Sequence, residues 1–254
     1  MTDAQTRSSV GSELIEAVSV AKDYAASVAA LVRYDFGDPH QRYLIAYLCT
    51  GIELAGAALM LARSAETIGI PILARAALEA HVDFKCLVAD PNYVESMEAA
   101  HDKEWARAID RAARSKNPDL VAMSQAPAAV EERARIAHRE AHRKAIGIFA
   151  LTAEQRFTQA GLLDLYDSAY NFLSAETHTN PRALITRHFR DDDGQPKLAV
   201  YADDSAFVGM GLMHIHDAIA EMAEGVCKAF NLEAPDRAQM DASYAAAKRA
   251  IENA

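Results

Sequence analysis

The stretch "PILARAALEAHVDFKCLVA", residues 71–89, is apolar on almost every side of a helix. A helix of that kind belongs inside a protein, packed on several faces at once. Pro71 suits its first turn. The exceptions are Arg75, Glu79 and Asp83, which follow at four-residue steps and therefore share one stripe. A buried charge needs a partner, and Arg75 precedes Glu79 in the weaker orientation for a pair within one helix. These side chains are expected to reach another element, either as a structural ion pair that fixes helix register or as part of a site.

The preceding stretch, "LIAYLCTGIELAGAALMLA" at 44–62, is long enough to span a bilayer and carries one charge, Glu53, at its centre. An acidic group there costs about 2.5–3.5 kcal/mol on insertion scales, and no second span shares that cost. A core helix of a bundle, with no membrane, is the expectation. Only a short turn joins it to residues 71–89, so the two helices should be antiparallel neighbours. Counting back from the turn sets Glu53 level with Lys85 and His81, which predicts a polar layer across the core.

Apolar residues recur at helical spacing through the rest of the chain, and alternating β-branched runs are nearly absent. The fold class is therefore all-α, with helices over 10–34, 41–66, 71–89, 92–115, 118–146, 153–160, 162–178, 204–230 and 236–252. Proline with Gly, Asp or Asn marks the breaks, as in "FGDPH" at 36–40 and "NP" at 117–118 and 180–181. The extended piece is "DDDGQPKLAVYADD", 191–204, from which a short β-hairpin with "ALITRHF" is expected near 183–202. Residues 1–235 read as a single bundle domain, and 236–254 as a terminal helix that packs on it or on a partner. The charge run "EERARIAHREAHRK" at 131–144 reads as a solvated face.

Composition narrows the function. Thirty-six acidic against 26 basic residues give a net charge of −10, which opposes binding held mainly by long-range attraction to phosphates. Cys49, Cys86 and Cys227 are scattered in apolar runs, as in a reducing compartment, and "MTDAQTRSSVGSE" lacks the basic start and apolar centre of a secretory signal. A cytoplasmic location is expected. No metal site is read: the Glu of "HREAH" is misplaced for a zincin, and His214 and His216 fall on different sides of a helix. No cofactor fingerprint is present either.

The polar candidates gather in "YNFLSAETHTNPRALITRHF", residues 170–189. Tyr170, Ser174 and His178 share one side of a helix, and Arg182 and His188 follow the helix-ending Asn-Pro. His178 suits a helix C-terminus, where imidazole can meet the last carbonyls. Ser174 with His178 at i+4 lacks the Gly-rich elbow and oxyanion donors of a hydrolase.

Arg75 with Glu79, and Tyr170 with Ser174 and His178, resemble a bacterial family of helical domains of unknown function carrying R-x-x-x-E and Y-x-x-x-S-x-x-x-H. That arrangement is similar to the HEPN superfamily of helical bundles, many of which are metal-independent ribonucleases. The resemblance implies a His that handles the 2′-hydroxyl proton and an Arg that supports the phosphate, and a homodimer with its site near the twofold axis. The apolar helix 204–230 is the candidate surface, unless the terminal helix covers it. The chain departs from the superfamily pattern where Asn171, Phe172 and Leu173 precede His178, so activity through His178 needs an Arg from elsewhere, with Arg75 and Arg182 as candidates. Arg182 and His188 have the pattern's spacing, as do Arg133 with His138, Arg135 with His142 and Arg33 with His40. The two readings are an HEPN-like endoribonuclease of toxin or defence type, and a non-catalytic helical binding module whose polar cluster is structural.

Overall fold

The computed structural model describes residues 2–64, 67–177, 181, 184–185, 189–192, 195–199 and 207–252. Helices dominate: α1 (Thr2–Leu31), α2 (Pro39–Arg63), α3 (Ile70–Ala89), α4 (Tyr93–Ala113), α5 (Pro118–Gln125), α6 (Pro127–Ala145) and α7 (Ala153–Gln159). Then come α8 (Leu163–Leu165), a π turn (Tyr166–Tyr170), α9 (Asn171–Thr177), α10 (Phe207–Ala229) and α11 (Ala238–Glu252). The all-α class holds. Two short strands, Phe189–Asp192 and Gln195–Ala199, pair antiparallel with Phe189 opposite Ala199. Contacts divide the chain into two compact units, Met1–Ala89 with Phe157–Ala254, and Asp90–Arg156.

In the first unit α3 is central, as its all-round apolarity requires. It packs on α10, α2 and α9, and buries Ile70, Leu78, Phe84 and Leu87. Asp38 caps α2 by accepting from the His40 and Gln41 amides ahead of Pro39, so the helix starts where its orphan donors are met. Gly51 lets α2 approach α10 closely, because a Cβ there would meet Met222 Cε at 2.5 Å. Gly225 does the same between α10 and α3, where a Cβ would meet Phe84 Cε1 at 2.5 Å.

Two expectations about charge and surface are corrected here. Leu44, Leu48, Gly51, Ala55, Ala58 and Leu59 form the buried stripe of α2, and this turns Glu53 outward to an exposed position. Its place beside His81 and Lys85 is taken by Glu221 of α10: His81 Nε2 lies 3.0 Å from Glu221 Oε2, and Lys85 Nζ donates to the same oxygen at 3.3 Å. The apolar side of α10, expected as a dimer surface, belongs to the core, with Leu212, Ile215, Ile219, Met222 and Val226 buried. α11 packs on α1, and its Tyr244 ring stacks on His216 of α10 with centroids 4.4 Å apart.

The second unit holds α4, α5 and α6. The expected helix over 118–146 is two helices, because Pro127 removes a backbone donor and turns Ala126 out to ψ 139°. The charge run is not a fully solvated face. Arg139 donates to both Asp102 oxygens at 2.8 Å, Arg143 binds Asp102 together with Glu95 and Glu98, and Arg133 binds Asp110. Asp102 and Arg143 are 4% and 5% exposed. The Arg139 hydrogen bond, against the penalty of burial, holds the Asp102 carboxyl below the usual carboxylate range. Glu131, Arg135, His138 and His142 do face solvent.

Candidate functional site

The charged stripe on α3 finds its partner on the segment that follows α7. Arg75 Nε donates to Glu79 Oε1 at 3.2 Å, Arg75 Nη2 donates to the Tyr170 hydroxyl at 3.3 Å, and that hydroxyl donates to Glu79 Oε1 at 2.9 Å. The three groups close a ring of hydrogen bonds between α3 and the π turn. The Arg75 guanidinium also lies 5.3 Å from the centre of the Tyr170 ring, within cation–π range.

Aromatic packing fixes the phenol. The Tyr170 ring lies 4.8 Å from Phe157 and 5.4 Å from Tyr166, the latter stacked at 20°. Phe157 and Tyr170 are buried, whereas the Arg75 and Glu79 side chains keep 26% and 35% exposure. The cluster therefore has a buried base and a face open to solvent. Burial raises the Tyr170 pKa despite the opposing bond from Arg75, so the phenol stays a proton donor at neutral pH. Burial works against the charge of Arg75, but Tyr170 and Glu79 more than offset it and raise its pKa. Such an arrangement holds a guanidinium fixed and charged, which suits binding an anion or tying two helices.

Of the candidate residues, Arg75, Glu79 and Tyr170 come together. Ser174 lies one turn beyond Tyr170, half-buried on α9. His178, Arg182 and His188 lie outside the described residues. Asp83, the third member of the stripe, accepts from the Tyr47 hydroxyl of α2 at 3.3 Å. Tyr47 and Phe157 have no role in the sequence reading. The spacing of Tyr166 and Tyr170 at i, i+4 was the available signal, and it reads equally well as ordinary core.

Residues 41–196, more than half of the chain, match a family of unknown function, DUF5677. The chain belongs to this family. The match spans the whole Arg75–Glu79–Tyr170 cluster and all of the second unit, and ends before α10 and α11. No curated protein and no solved structure matches this DUF5677 chain.

Proposed function

We propose that this protein is an HEPN-like helical bundle acting as a metal-independent endoribonuclease, of toxin or defence type, in the cytoplasm and as a homodimer. The observation that carries the reading is the convergence of Arg75, Glu79 and Tyr170 into one half-open cluster on the helix path that leads to Ser174 and His178. In this reading Arg75, with Arg182, supports the scissile phosphate, and His178 takes the 2′-hydroxyl proton, with His188 as the other candidate base.

One observation favours a second reading, a non-catalytic helical binding module. Glu79 Oε1 accepts from both Arg75 and Tyr170, so the cluster already has the internal pairing of a structural tie. A single assay separates the two. Purified protein incubated with single-stranded RNA in EDTA should leave cyclic-phosphate or 3′-phosphate ends, with a rate that rises with pH as an imidazole loses its proton near about 6.5. His178→Ala should abolish cleavage without changing the melting temperature. Absence of cleavage, or unimpaired cleavage by both His178→Ala and His188→Ala, removes the enzyme reading and leaves the binding module.

A further inference from the structure

The helix that carries Tyr170 is irregular. Between Leu163–Leu165 and Asn171–Thr177, residues Tyr166–Tyr170 wind as a π turn, which accommodates one residue more than an α-helical turn would. Ser168 Oγ donates to the Asp164 carbonyl at 2.6 Å, engaging the acceptor that an α-helical ladder gives to the Ser168 amide. At the end of the turn, Glu79 and Arg75 hold the Tyr170 hydroxyl from the neighbouring helix.

The extra residue makes a second register available. If the turn relaxed to α with every residue kept, the chain after it would rotate by about 100°, one residue's share of a 3.6-residue turn. Each later side chain would take the direction now held by the next one. Phe172, 39% exposed, would take the direction of buried Leu173, and half-buried Ser174 the exposed direction of Ala175. At the Leu173 position an aromatic or aliphatic side chain faces the core in either register, so burial there discriminates weakly between them. Tyr170 discriminates strongly, because in the relaxed register it would take the exposed direction of Asn171 and leave both its ring stack on Phe157 and Tyr166 and its bond to Glu79. Its hydrogen bonds exist only with the π turn in place, which is the differential interaction a two-state element requires.

We propose that Tyr166–Tyr170 is a register switch, locked by the Tyr170 tie to Glu79 and Arg75 in the setting that keeps Ser174 half-buried. Tyr170 is then a positioning residue. The consequence for activity rests on the function proposed above: the switch regulates that site by setting the direction of α9, which carries Ser174.

The test places a thiol at the moving position. Ser174→Cys is made in a Cys49→Ala background, since Cys49 is exposed while Cys86 and Cys227 are buried, and its reaction with a soluble disulfide reagent is timed. Adding Tyr170→Phe keeps the aromatic stack but removes the hydroxyl, and labelling should accelerate by up to roughly tenfold, the population change expected from losing a hydrogen bond to a charged group. Glu79→Gln, which removes the charged acceptor from the other helix, should act in the same direction. Deleting Ser168 together with Tyr170→Phe removes the extra residue, so the turn can be α-helical with the later residues left in their present directions, and labelling should slow again. Unchanged labelling in a folded Tyr170→Phe protein overturns the switch. So does acceleration that the deletion fails to reverse, because that is general loosening. Labelling needs no RNA, so a protein that shows this pattern without cleaving RNA loses the proposed function and keeps the switch.

Discussion

In Met1–Ala89 with Phe157–Ala254 the interior is mostly apolar, with His81 and His216 its buried polar side chains among the described residues, and the charged stripe of α3 lies at its margin, with Arg75 and Glu79 a quarter to a third exposed. In Asp90–Arg156 the charges lie inside: Asp102 and Arg143 are buried, and a carboxylate cluster on α4 meets arginines from α6. Both patterns begin as charged residues at helical spacing. What separates them is where the large apolar side chains are placed. The second unit buries Tyr93, Val94, Ala106 and Ile136, and leaves Trp105, Met123, Val130 and Phe149 exposed, so ion pairs take the interior positions that apolar groups take in the first unit. Charge at the margin is available to a ligand, whereas charge in the interior holds helices together.

The contrast would break most visibly at Asp102. Asp102→Ala takes from Arg143 and Arg139 the buried carboxylate they share, leaving Arg143 only Glu95 and Glu98, and should destabilise the second unit by about 1.5–3 kcal/mol. Denaturant unfolding followed by the single tryptophan, Trp105 on α4, reports that unit directly. A midpoint near that of the unaltered protein would mean that the ionic interior is decorative.

A smaller effect sharpens the description of the first unit. The His81 hydrogen bond, with Lys85 adding to it, holds the Glu221 carboxyl at about 2. A depressed carboxylate pKa contributes stability that is full above the unfolded value and fades as pH falls from about 4.5 toward 2. Because Glu221 is half exposed, solvent screening reduces the contribution to about 1 kcal/mol. Melting temperatures measured across that range should fall more steeply for the unaltered protein than for Glu221→Gln; parallel curves would remove this pair from the stability of the unit.

The sequence makes much of this architecture legible and some of it not. The all-round apolarity of residues 71–89 identifies α3 as central, and the Arg75–Glu79 stripe correctly demands a partner from another element. The polar pairing of Glu53 fails, because counting residues from a turn fixes height along a helix but not the direction in which a side chain points. Arg139 and Arg143 read as solvated from the sequence, since a charge run looks alike whether it faces water or an acidic neighbour folded against it. The division at Pro127 was marked in the sequence and outweighed by the helical pattern on either side. The π turn carries no sequence signature, and it coincides with a hydroxyl-to-carbonyl bond within the helix and an anchor on a different helix.

The account depends most on Tyr170 and Glu79 acting together across two elements, and a double-mutant cycle measures that coupling with no assumption about substrate. Glu79→Gln, Tyr170→Phe and the double variant should each remain folded, and their stabilities should be non-additive by about 0.5–1 kcal/mol, the lower part of the range for directly bonded neighbours. Additive effects, with no coupling beyond measurement error, would contradict the cluster and with it both the candidate site and the lock on the π turn.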